Sequence, residues 1–148
     1  AVLQGEHLLL GPANYTRGAD YPPMQGLLQY IGEITRIRRE LFAVVSLGER
    51  IDASEGAFAV EPHLIEMGGA FAKAAHARWA LFRDPRTGRR AVVLANLGPT
   101  PLAVSGLMFT DKPAGGARLY QAFQTSAPTR FPVSVTVPAE RVVFVAEG

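Results

Sequence analysis

The stretch FAKAAHARWALFRDPRTGRRAVVLAN, Phe71–Asn96, decides the fold. It reads as two apolar strands, Phe71–Arg83 and Arg89–Leu97, joined by Asp84-Pro85-Arg86-Thr87-Gly88. Side chains alternate across a strand. In the first strand Phe71, Ala75, Ala77, Trp79 and Leu81 therefore share one face, and His76, Arg78, Ala80 and Phe82 share the other. The Trp79 face is the candidate core. Ala91-Val92-Val93-Leu94-Ala95 is a continuous apolar run, which suits a central strand buried on both sides. Its β-branched residues and Pro/Gly flanks favour strand over a short buried helix. Pro85 presets φ for a turn and Gly88 can take φ > 0, so the whole stretch predicts a β-hairpin.

Outward from the hairpin, strand signals continue to the C-terminus. Gly98-Pro99-Thr100-Pro101 predicts a turn, Leu102–Phe109 a strand and Thr110–Gly116 a loop. Ala117–Phe123 reads as a strand and Gln124–Arg130 as a polar connector. Val133-Ser134-Val135-Thr136-Val137 alternates strictly, predicting one buried and one wet face, and Val142–Val145 closes the chain as a buried strand. Turn signals roughly every 8–12 residues indicate a mainly β domain, an antiparallel β-sandwich with a Greek-key-like order and about seven or eight strands.

Before the hairpin the character changes. His7-Leu8-Leu9-Leu10 predicts a short buried strand, and Gly11–Pro23 a long polar loop. Leu27, Tyr30, Ile31, Ile34, Ile37, Leu41, Val44 and Val45 recur at spacings of three and four, predicting an amphipathic helix over Pro23–Leu47. Glu33, Arg36 and Glu40 fall on its polar side, and Gly48 stands where a left-handed C-cap is wanted. Residues 49–69 read as an irregular crossing with one or two short strands near Phe58–Val60 and Leu64–Met67. The composition shift near Arg50 divides the chain into a strand–loop–helix segment, 1–49, and a sandwich, 50–148.

Bulk properties narrow the class. At 148 residues, 48% hydrophobic and 19% charged, the chain has the make-up of a folded globular protein. No apolar run approaches the roughly 20 residues of a membrane span. The chain starts at Ala1 without Met and without a recognisable signal peptide, so it is expected to be a processed product or part of something longer. With no cysteine there is no disulfide framework, and the compartment is left open. Residues 1–68 hold nine acidic against five basic side chains (−4), and residues 69–148 hold four against ten (+6). Arg83, Arg86, Arg89 and Arg90 cluster at the hairpin turn without interleaved aromatics, which reads as a solvated, edge-protecting group and not a nucleic-acid surface.

No complete catalytic motif is present. The three histidines make no metal-ligand spacing, and nucleophile-elbow, P-loop and dinucleotide patterns are missing, so neither metal nor cofactor is expected. Glycoside hydrolysis needs two carboxyl groups about 5–10 Å apart. Glu6, Asp20 and Glu33, the acids nearest the N-terminal loop, show no spacing that implies such a pair. The candidate binding residues are Asn14, Tyr15, Arg17, Asp20 and Tyr21 in the Gly11–Pro23 loop, and Trp79. Aromatic faces offer an apolar platform to a sugar ring. Asp20 is better suited to cap the helix, and Trp79 to fill the core, than to bind a ligand.

Taken in order, these elements resemble the end of a β/α-barrel glycoside hydrolase. Leu8-Leu9-Leu10 with its polar loop looks like a last barrel strand and its βα loop, and Tyr30–Leu41 is similar to the last barrel helix. Arg90–Leu97 is similar to the Val-Val-Leu-x-Asn-Leu strand of the β-sandwich that follows many such barrels, and Val133–Val137 with Val142–Val145 fits its closing strands. The resemblance implies a non-catalytic C-terminal region of a carbohydrate-active enzyme, its acid and nucleophile lying on barrel strands this chain lacks. The Gly11–Pro23 loop would then line a substrate cleft, and a catalytic barrel or companion chain would pack on the Leu27–Val45 helix face. A stand-alone carbohydrate-binding module, and an assembly module packing through its helix, are the alternatives.

Overall fold

The computed structural model describes residues 22–60, 63–67, 70–74 and 77–148, and within them the side chains of 25–60 and 77–148. The expected strand at His7–Leu10 and the Gly11–Pro23 loop up to Tyr21 lie outside the described residues. The fold is mainly β, with one α-helix preceding an antiparallel sandwich.

Strand β6 (Arg90–Asn96) lies at the middle of the molecule, and every one of its residues is buried. It pairs with β5 (Ala77–Arg83) through the expected hairpin and with β11 (Val142–Glu147) on its other side. Strands β1 (Glu49–Ile51), β8 (Gly115–Gln121) and β9 (Ala127–Phe131) complete a six-stranded sheet in the order β1-β5-β6-β11-β8-β9. A second sheet, β10-β7-β2, is built from Val133–Val137, Leu102–Phe109 and Gly56–Val60. Among the described residues nine strands thus form the sandwich, slightly more than the sequence reading predicts. The hairpin of β3 (His63–Met67) and β4 (Ala70–Ala74) pairs only with itself.

The two faces of the large sheet have different tasks. Leu81, Val92, Leu94, Val143 and Val145 point into the core shared with the second sheet, where they meet Leu102, Val104, Leu107, Val133 and Val137. The alternate residues Ala80, Phe82, Ala91, Val93, Phe144 and Ala146 face the other way, onto α1 (Pro22–Glu40) and the turn that follows it. Ile34, Ile37, Leu41, Val44 and Val45 fill that second core with Tyr30 packed against it, so most of the predicted helix stripe is covered by the chain's own sheet. Leu27, at the other end of the stripe, is 49% exposed.

Several sequence expectations change in physical detail. The helix does not run uninterrupted to Leu47. It leaves α geometry at Leu41, and Phe42–Ser46 forms a π-helical turn that lets the adjacent Val44 and Val45 both be buried. Gly48 takes no left-handed cap. It is needed because a Cβ there would collide with the backbone oxygens of Val44 and Arg83, where the chain passes from helix to β1. The stretch Phe71–Arg83 is two strands with different partners, β4 against β3 and β5 against β1 and β6, with residues 75–76 outside the described set. The Gln124–Arg130 connector contains β9, an edge strand whose Pro128 needs no ladder donor on its open side.

The arginine cluster is also corrected. Arg90 is buried, not solvated. Its guanidinium donates to Glu147 Oε1 (3.0 Å) and Asp111 Oδ1 (2.6 Å) and lies 4.1 Å from the centre of the Phe109 ring. Its backbone N–H donates to Glu147 Oε2 at 2.8 Å. Burial pushes the Glu147 carboxyl up, but the hydrogen bonds and charge of Arg90, with Lys112 nearby, outweigh it and hold the group below the usual range. Asn96 closes the opposite end of β6: its Nδ2 donates to the carbonyls of Thr100, Val137 and Pro138, and its Oδ1 accepts from Gly98 N.

This difference in burial is testable. Glu147→Ala should destabilise the chain by about 3–5 kcal/mol, because it removes the buried partner of Arg90 and leaves that cation only the exposed Asp111. Asp111→Ala, at a mostly exposed partner, should cost far less. Urea unfolding at pH 7 measures both, and equal losses would refute the assignment.

Candidate functional site

Of the sequence-predicted binding residues, Asn14, Tyr15, Arg17, Asp20 and Tyr21 lie outside the described residues. Trp79 is described, and it is not the core residue its parity suggests. It lies on β5 on the same side as Ala77 and Leu81, but is 39% exposed, its ring meeting Phe58 of β2 edge-on (centroids 4.6 Å, interplanar angle 85°). One flank of the indole therefore covers the sandwich rim, and the remainder is open to solvent.

A second surface feature was not singled out by sequence. It is a groove of about 500 Å³ between α1 and the β8–β9 turn, lined by Glu33, Arg36, Glu40, Phe123, Gln124, Thr125 and Ser126. The helix supplies the charged wall because positions 33, 36 and 40 share one face. Arg36 donates to Glu33 Oε2 (3.0 Å) and to Glu40 Oε1 (2.6 Å), and reaches across to the carbonyl of Gln124 (3.3 Å). Glu33 Oε2 in turn accepts the backbone N–H of Phe123 at 3.0 Å. The helix thereby clamps the turn at two consecutive residues.

Phe123 is the odd member. The sequence reading places it inside a strand, yet β8 ends at Gln121 and Phe123 stands in the left-handed region at φ +62°. A bulky side chain there costs about 1–3 kcal/mol. Burial does not repay it, for the ring is 60% exposed. Its neighbour is Tyr30, tilted at 6.5 Å; the Tyr30 hydroxyl accepts from Val142 N, and the Arg141 guanidinium lies 4.4 Å over the tyrosine ring. Positive φ at a phenylalanine leaves no mark in composition or periodicity, so only Gln124-Thr125-Ser126, a polar run after a strand, marked this turn in the sequence.

The electrostatics are those of acceptors, not of proton donors. The Arg36 side chain, followed by the Phe123 N–H, holds the Glu33 carboxyl below the usual carboxylate range. Asp84 is held low by the Arg86 N–H and the Thr87 hydroxyl within the hairpin turn, and Asp111 by Arg90. Among the described residues no group of three or more His, Asp or Glu side chains is placed to hold a metal. No family model, curated protein or solved structure matches this chain.

The clamp carries a pH signature. A lowered folded-state pKa means that the Glu33 contribution is present above the unfolded glutamate value, about 4.3, and is lost as pH falls through the lower folded value. An NMR titration should show the Phe123 amide shifting with a midpoint below about 4.3, and Glu33→Gln should abolish that transition. A midpoint at or above the free-glutamate value would contradict the clamp.

Proposed function

We propose that the chain is the non-catalytic C-terminal region of a carbohydrate-active enzyme of the glycoside hydrolase class, supporting a β/α barrel. The observation that carries this reading is the shared core of α1 and the outer face of the six-stranded sheet. A helix fixed in this way transmits the position of the sandwich to whatever its other end adjoins. Of the Leu27–Val45 face that the resemblance gives to a barrel or companion chain, Ile34 to Val45 packs on the chain's own sheet, and Leu27 is left uncovered among the described residues for such a partner.

A stand-alone carbohydrate-binding module is the second reading, favoured by the exposed rings of Trp79 and Phe123. The two readings differ in what encodes them. The genomic segment upstream of Ala1 should specify seven further strand–helix units if the first is correct. The 148-residue chain alone should give no turnover of α- or β-linked glycosides. Hydrolysis abolished by Glu6→Gln or Asp20→Asn, or an upstream segment without barrel units, would overturn the proposal.

A further inference from the structure

We infer that the groove between α1 and the β8–β9 turn is a glycan subsite in which Phe123 is the stacking platform and Glu33 and Glu40 accept hydrogen bonds from sugar hydroxyls. The inference rests on the carbohydrate reading above and assigns it a place on the chain. A phenylalanine held in a left-handed conformation with most of its ring in solvent gains little for the fold. Backbone strain kept at an exposed aromatic points to a use for the ring. The turn is held in place by the two bonds from the helix, Phe123 N to Glu33 and Arg36 to the Gln124 carbonyl, so the platform is pre-positioned.

The lining selects the class of ligand. Arg36 is engaged by Glu33, Glu40 and Gln124, and the two carboxylates outnumber it, so the helix wall disfavours a phosphate or carboxylate; the other nearby cation, Arg118, is bonded to Ser126. Glu33 Oε1 and Glu40 Oε2 take part in none of those bonds and are left as acceptors. Gln124, Thr125 and Ser126 of the same lining are polar, the Ser126 hydroxyl accepting from Arg118. An aromatic face beside acceptor oxygens whose charge is partly offset fits a neutral polyhydroxylated ring, with its C–H face on Phe123 and its hydroxyls toward the helix. The groove is shallow and open, which suits one face of a sugar ring on a longer chain more than an enclosed small molecule.

Affinity electrophoresis of the 148-residue chain in gels containing soluble starch, hydroxyethylcellulose or arabinoxylan tests this. At least one polymer should retard the wild-type chain. Phe123→Gly should remove the retardation while leaving the thermal midpoint within a few degrees, since glycine adopts φ +62° without strain. Trp79→Ala should keep the retardation. Retardation by no polymer, retardation unchanged in Phe123→Gly, retardation lost in Trp79→Ala alone, or displacement by oligolysine, which would mark a cation site, would each overturn the subsite. Failure here with barrel units upstream would sink only the subsite, whereas Phe123-dependent retardation without such units would sink only the parent-enzyme proposal.

Discussion

The centre of the large sheet has no wet face, and the rest of the structure answers to that. Val92 and Leu94 look into one core while Ala91 and Val93 look into another. Burial of apolar surface on this scale, at roughly 25 cal/mol per Å², requires a cover on each side. One cover is the three-stranded sheet and the other is α1 with its π turn. The alanines on the helix-facing side, Ala80, Ala91 and Ala146, leave room for the branched and long residues of the helix, while Phe82, Phe144 and Tyr120 fill the gaps between them. Helix and sandwich are therefore parts of one packed body.

A strand buried on both sides also has to end somewhere. Backbone and side-chain polar groups at its termini would be stranded without partners. At one end Asn96 spends both halves of its amide on the turns after β6 and β10. At the other, Arg90 and Glu147 neutralise one another across neighbouring strands, and Arg89 Nε donates to the Glu147 carbonyl. Such pairs add less stability than their Coulomb energy suggests, but they penalise any register that separates them.

What was legible in the sequence was periodicity. The uniform burial of β6, the alternation of Val133–Val137 and the turn chemistry of Asp84–Gly88 all follow from local pattern, and the structure shows each. What was not legible depends on distant partners. Arg90 reads as a solvated arginine until Glu147, 57 positions away, is paired with it. The break between β4 and β5 follows from their pairing with different strands, which an unbroken apolar run does not disclose. Trp79 has the parity of the core but lies against Phe58 at the sandwich rim, and the Phe123 groove combines a helix face with a turn 90 residues later.

The functional reading depends on α1 being a fixed part of the sandwich, because only then does it set the position of a barrel or of a glycan groove. Native-state hydrogen exchange addresses that directly. Amides of Ile37 and Leu41 in the helix should open with the same free energy, and the same denaturant dependence, as those of Val93 and Phe144, the residues they pack against. Helix amides exchanging orders of magnitude faster than the sheet, with no denaturant dependence, would show that the helix frays alone and contradict the account.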